Sequence, residues 1–454
     1  MPLSPPDNQP GQEQDKPELS FAHSVGLWRR GYPWILAPVL IGLIGVGIAV
    51  ASDYATRFNE LLLKEYPLSP LLLLPAGFAL LAYLTKRFFP GTQGSGIPQT
   101  IAVIDDPDDE KKSNLLSIRI LISKAFMLLF GLSIGASVGR EGPTVQIGAS
   151  IMHAFYGRDG MNKAEHRRML VLAGGAAGIA AAFNTPLAGI MFAIEELSKK
   201  YIFNAHSSTL LTVILSGLIS LALVGSYTYF GSTGAAINWA PHSPAIIVCG
   251  VVGGVAGGLF SRVMLKITFN PPRLLGKLIR SRPVIFAAAC GLGVAIFGLL
   301  TDGLAFGTGY GATRATLESN GSMMSWYYGL AKMGATLLSS VSGIAGGLFA
   351  PTLAVGAGLG DNLSALMPFL APHGAIVLLV MAAYLAGVTR SPLTSFIITM
   401  EMTDSHHMLL ALMTAALVAN AVSKLISPVP LYHALSQRFL GTPPESQRTL
   451  PSSS

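Results

Sequence analysis

Apolar stretches close to twenty residues long recur along the chain, at 33–52, 168–194, 208–230, 244–260, 283–301 and 408–427. A helix of that length crosses the roughly 30 Å hydrocarbon core of a bilayer. In lipid every backbone polar group must find a partner within the protein, so repeated stretches of this kind dictate a bundle of transmembrane helices. With 51% hydrophobic and 12% charged residues and a mean hydropathy of +0.54, the chain has too little polar surface to be solvated as a water-soluble domain. The expected fold class is an all-α polytopic membrane protein.

Lys and Arg outnumber Asp and Glu by 30 to 23, and their distribution argues for membrane topology, not for nucleic acid. The segment 262–282 carries Arg262, Lys266, Arg273, Lys277, Arg280 and Arg282 with no acid, whereas 226–246 carries no charge at all. Basic residues collect in cytoplasmic loops, which places 262–282 inside and 226–246 outside. The pair Arg29–Arg30 favours a cytoplasmic amino terminus in a cell (inner) membrane. Residues 1–20 lack the apolar core of a signal peptide and read as a disordered lead, and 441–454 read as a disordered tail. Cys249 and Cys290 lie in apolar segments and imply neither a disulfide nor a metal framework. No cofactor is expected.

The chain also repeats itself. GREGPTVQIGAS from Gly139 aligns without gaps on GLFAPTLAVGAG from Gly347, pairing Gly139/Gly347, Pro143/Pro351, Thr144/Thr352, Gly148/Gly356 and Ala149/Ala357. Further on, AAGIAAAFNTPLAGIMFAIEE from Ala176 aligns on AAYLAGVTRSPLTSFIITMEM from Ala382, pairing Pro186/Pro392, Leu187/Leu393 and Glu195/Glu401. The offsets are 208 and 206, so one two-residue gap puts both blocks in register. A weaker pairing sets GSG at Gly94 against GYG at Gly309. Two membrane repeats are expected, 21–230 and 231–440.

Three segments share one pattern: GSGIP (94–98), GREGP (139–143) and GGLFAP (346–351). Glycine frees the backbone, and proline is tolerated in a helix's first turn, so each reads as a helix beginning inside the membrane. The unpaired N–H groups at such starts, with the positive end of the helix dipole, hold an anion by partial charge. Dipoles bind it weakly enough to let it leave.

Glu141 stands within this pattern. A carboxylate deep in a membrane helix costs about 2.5–3.5 kcal/mol unless it is paired or functional. The same amides that hold an anion would hold this carboxylate, and protonation would release it. One residue would thus couple proton uptake to anion movement. A static salt bridge with Arg140 is the alternative, but neighbouring residues on a helix point in different directions. Of the adjacent acids Glu195 and Glu196, the repeat pairs Glu195 with Glu401. Those two should share a structural task, leaving Glu196 over.

GSGIP, GREGP and GGLFAP, in that order and followed by PLY at 430–432, resemble the CLC family of chloride channels and chloride/proton antiporters. The resemblance runs from about Arg30 to Leu440. It implies an inverted repeat of short, tilted, partly spanning helices, and a homodimer with one pathway per subunit. By position, Ser95 and Tyr432 match the hydroxyls that contact the central chloride. Leu348 and Phe349 match the residues whose backbone amides face it. Glu141 matches the gating glutamate, and Glu196 the internal glutamate that relays protons. Two departures stand out: Gln99 where the family often has an acid, and Leu348 where it often has isoleucine. Serine at position 95 is the family's choice for chloride, where nitrate-selective relatives tend to carry proline.

The resemblance implies chloride/proton exchange, with a passive chloride channel as the alternative on the same scaffold. An intramembrane serine protease is a third reading, since GLSIG (131–135) and GASVG (135–139) both satisfy G-x-S-x-G. The pair His406–His407 in TDSHH reads as a polar connection and not as a metal site, and DDPDDEKK (105–112) as a solvated loop.

Overall fold

The computed structural model describes residues 31–157, 163–198, 207–225, 228–319 and 324–441. The disordered lead expected from composition, the Arg29–Arg30 pair, and the expected tail apart from its first residue Gly441 lie outside these residues. Among the described residues the regular elements are helical, and the only extended pairings are two isolated backbone bridges.

The first half contributes α1 (Pro33–Glu65), α2 (Pro70–Arg87), α3 (Ile97–Asp105), α4 (Glu110–Ser113), α5 (Ile118–Ser133), α6 (Glu141–His153), α7 (Ala164–Phe183), α8 (Pro186–Phe192) and α9 (Ser207–Val224). The second contributes α10 (Trp239–Phe269), α11 (Arg273–Ser281), α12 (Pro283–Leu300), α13 (Tyr310–Glu318), α14 (Tyr328–Val341), α15 (Phe349–Leu366), α16 (His373–Thr389), α17 (Pro392–Thr403), α18 (Leu409–Ile426) and α19 (Leu431–Leu440). Among the described residues four helical stretches, 33–65, 239–269, 283–300 and 406–426, are long and apolar enough to cross a membrane.

Layering follows from which helices are apolar all round. In α16 every residue from Gly374 to Thr389 is buried, and α7 is buried from Leu170 to Phe183. Helices apolar on every side belong in an interior. α1, α2, α9, α10, α12 and α18 instead expose leucines, isoleucines and valines on one side, as a lipid-facing layer requires.

The structure corrects several expectations. The stretch 168–194 is two helices, because α7 ends at Asn184 in the left-handed conformation (φ 60°) and α8 restarts at Pro186. Proline lacks the N–H that would continue the ladder. The second half repeats this break: α16 ends at left-handed Arg390 (φ 64°) and α17 starts at Pro392. The run 33–52 extends to Glu65, 208–230 stops being helical at Val224, and α10 starts at Trp239 inside the segment read as a connection. DDPDDEKK is partly structured: Asp109 caps the short α4, and Lys112 pairs with Asp106 (2.5 Å) and Asp109 (3.3 Å). The third repeat pairing shifts by two residues, since the left-handed glycines before the equivalent helices α3 and α13 are Gly96 and Gly309.

Candidate functional site

Three helix starts meet in the interior. α3 begins after Gly96, α6 after Arg140 and α15 after Leu348, and each carries its proline in the first turn. The segments before α6 and α15 are joined backbone to backbone: Gly139 N donates to Gly347 O at 2.8 Å, and Gly347 N to Gly139 O at 2.7 Å. The residues before α3 join the same seam, with Gly94 N donating to Ile344 O and Gly346 N to Gly94 O.

Glu141 is fully buried at the first position of α6. Its carboxylate folds back against the amides of Arg140, Glu141 and Ala350, which come from both helix starts. None is aligned for a regular hydrogen bond. The glycines around it are required by space: a Cβ on Gly139 would stand 2.0 Å from Glu141 Oε2, and one on Gly142 would stand 2.1 Å from Ser95 Oγ. Arg140 turns to α1, donating to Ala49 O (2.8 Å) and Asp53 Oδ1 (3.2 Å), and lies 4.8 Å over the Tyr229 ring.

Ser95, Leu348, Phe349 and Tyr432 gather beside this carboxylate. The hydroxyls of Ser95 and Tyr432 lie next to one another, both buried and without a regular hydrogen-bond partner. Phe349 stacks on Tyr432 (6.0 Å, 14°), and Phe192 meets Phe349 edge-on (6.0 Å, 75°). Buried hydroxyls beside helix-start amides, next to apolar rings, suit a desolvated anion. Gln99, the departure from the family pattern, donates to Gly91 O and Gln93 O and braces the loop before α3.

Glu196 lies apart from that cluster, in the π-helical turn Ala193–Leu197 that extends α8. It is 1% exposed; Ser391 Oγ donates to its Oε2, and His433 Nε2 to its backbone oxygen at 3.0 Å. Tyr432 is within electrostatic reach of both Glu141 and Glu196, and its neighbour His433 bonds Glu196 directly. Glu195 has a different task. Its carboxylate accepts from Leu393 N (3.1 Å) and Thr394 N (2.7 Å) at the start of α17, and Glu401 accepts from Leu187 N (3.2 Å) and Ala188 N (2.6 Å) at the start of α8.

Two cavities approach this centre. One of about 690 Å³ reaches Arg140 and Tyr229 and is bordered by Asp53, Glu60 and Asp302. The other, about 80 Å³, reaches Ser95 and Leu348 from beside Arg438 and Thr268. The first cavity is lined by Asp302 just after the end of α12, and the second by Met264 and Thr268 in the last turns of α10 and by Arg438 of α19.

Sequence reasoning missed two buried lysines. Lys124 Nζ donates to Thr92 O (2.8 Å) and Gly94 O (2.6 Å), and Lys332 Nζ to the carbonyls of Ala305, Phe306 and Gly307. The signal was present: they are 208 residues apart, the offset of Gly139 and Gly347. The serines of the two G-x-S-x-G matches are engaged within the helical framework. Ser133 Oγ donates to Leu129 O within its own helix, and Ser137 Oγ pairs with Thr336 Oγ1. His406 turns to Asp404 and His407 to Ala235 O, so the two rings diverge.

Helix starts from two halves, closed on each other and lined by buried hydroxyls, define an anion-handling membrane protein. Residues 77–424 match the model of the voltage gated chloride channel family, and the chain belongs to that family. It is 30% identical over 421 residues, covering 88% of this chain and 86% of the relative, to the H(+)/Cl(-) exchange transporter ClcA of Salmonella agona. ClcA of Salmonella typhimurium matches over the same length at 29% identity. Among solved structures, a slow cyanobacterial Cl-/H+ antiporter superposes with a TM-score of 0.76 at 26% identity, over 91% of this chain and 98% of that one. A CLC-type fluoride/proton antiporter shares the fold, with a TM-score of 0.75 at 22% identity over 92% and 99% of the two chains.

Proposed function

We propose that this chain is a secondary active transporter exchanging chloride for protons across the inner membrane, as a homodimer with one pathway per subunit and a cytoplasmic amino terminus. The observation that carries this reading is the Glu141 carboxylate seated among amides from both helix starts. A carboxylate and a chloride ion are alternative occupants of such a cradle. Ionised, Glu141 blocks the path; protonated, it loses its electrostatic hold and swings aside while chloride takes the amides.

Ser95, Tyr432 and the amides of Leu348 and Phe349 hold the central anion, and Glu196 hands protons to and from the basic face. Chloride and protons then share the region around Tyr432 and diverge below it. The two membrane repeats, 21–230 and 231–440, each supply one wall. Similarity to proteins named as chloride/proton exchangers supports exchange over a passive channel.

The test is Glu196→Gln in liposomes. Chloride flux should persist while chloride-driven proton movement disappears. Intact coupling would remove Glu196 from the proton path.

A further inference from the structure

A third cavity, of about 490 Å³, lies away from the anion path, between the end of α10 and the connection from α18 to α19. Arg262 and Lys266 line it one helical turn apart on the same side of α10, and none of the lining residues is acidic. Leu265 and Phe269 of α10 border these cations, and Leu425, 86% exposed, stands at the rim.

The opposite wall is braced. Arg390 donates to Ser427 O (3.0 Å), Pro428 O (2.7 Å) and Asn420 Oδ1 (3.3 Å), and Ser427 Oγ pairs with Ser261 Oγ at 3.3 Å. α10 has 31 residues, a length of about 46 Å against a hydrocarbon core of about 30 Å. Arg262 is about 35 Å along it from Trp239, so the cavity lies at the end of α10 that leads into the basic segment 262–282.

We propose that this cavity binds an anionic membrane lipid, with Arg262 and Lys266 on its phosphate and an acyl chain along Leu425 and Phe269. A soluble anion would satisfy the two cations and leave the apolar rim in water, whereas a lipid satisfies both. The cavity also touches the transport machinery as read above. Its wall continues from Val429 into Pro430 and α19, where Ala434 lines the cavity and Tyr432, two residues earlier, is buried beside Ser95. A bound lipid therefore steadies the helix that presents Tyr432. This regulatory consequence rests on the exchanger reading; the binding itself does not.

The test uses the purified full chain in neutral detergent, with lipid retention read by native mass spectrometry. Phosphatidylglycerol should be retained over phosphatidylcholine of the same chains. Arg262→Gln/Lys266→Gln should lower that retention by about thirtyfold, and Arg273→Gln/Lys277→Gln, which removes the same charge from α11, should leave it unchanged. Equal retention of the two lipids by the unaltered chain would overturn the proposal, and that comparison needs no variant. Equal loss in the two double variants would reduce it to diffuse attraction. Displacement by millimolar inorganic phosphate would make it a soluble-anion site instead. In liposomes, phosphatidylglycerol should raise chloride flux in the unaltered chain and not in Arg262→Gln/Lys266→Gln; an identical lipid response in both would contradict the link to Tyr432.

Discussion

Gly139 and Gly347 exchange backbone hydrogen bonds, each N–H donating to the other's carbonyl at 2.8 and 2.7 Å. They are also the first identical pair of the aligned blocks. A residue that pairs with its own repeat equivalent lies on the pseudo-two-fold axis relating the halves. Glu195 and Glu401 obey the same symmetry, each bonding the helix start equivalent to the one its partner bonds. The proposed anion cradle around Glu141 lies beside this axis, flanked by the start of α6 from one half and of α15 from the other.

Gly139→Ala tests the cradle. The added methyl would stand 2.0 Å from Glu141 Oε2, and so must push the carboxylate out. Chloride flux should continue with weakened proton coupling, read as protons moved per chloride in liposomes. Unchanged coupling would mean that the carboxylate does not work from this position.

Glu195→Ala and Glu401→Ala test the reciprocal pairing. Each removes a carboxylate that satisfies two helix-start amides, costing about 1–3 kcal/mol. The two should lower the midpoint of unfolding by similar amounts while the proton-to-chloride ratio holds. A loss of coupling in Glu195→Ala would move the proton role from Glu196 to its neighbour.

Lys124→Met leaves Thr92 O without its donor, while Gly94 O keeps Gly346 N, and Lys332→Met strips the donor from the carbonyls of Ala305, Phe306 and Gly307; each costs about 2 kcal/mol or more. Both should unfold well below the exposed control Lys86→Met in detergent. Lys124→Met should also weaken chloride binding, because its ammonium sits on Gly94 O, one residue from Ser95. Binding unchanged by calorimetry would confine Lys124 to a structural role.

Much of this was legible because membrane helices punctuate themselves with glycine and proline. GREGP and GGLFAP announced helix starts inside the membrane, and the Glu195/Glu401 match announced a shared task that the structure shows as crossed helix caps. The break at Asn184 was missed because hydropathy registers apolar content and not the left-handed residue before Pro186. Lys124 and Lys332 were missed because each looks like an isolated charge until the repeat offset is applied to it. The reach of Arg140 to Asp53 and Tyr229, and of His433 to Glu196, joins residues far apart in sequence, and no local pattern marks such contacts.

The central claim is that Glu141 competes with chloride for one cradle and carries the proton when it yields. Its most direct test is proton movement driven by a chloride gradient in liposomes, for the unaltered chain and for Glu141→Gln. The account predicts that the unaltered chain drives protons uphill, and that Glu141→Gln conducts chloride with no proton movement. Undiminished proton pumping by Glu141→Gln, or no pumping by the unaltered chain, would contradict it.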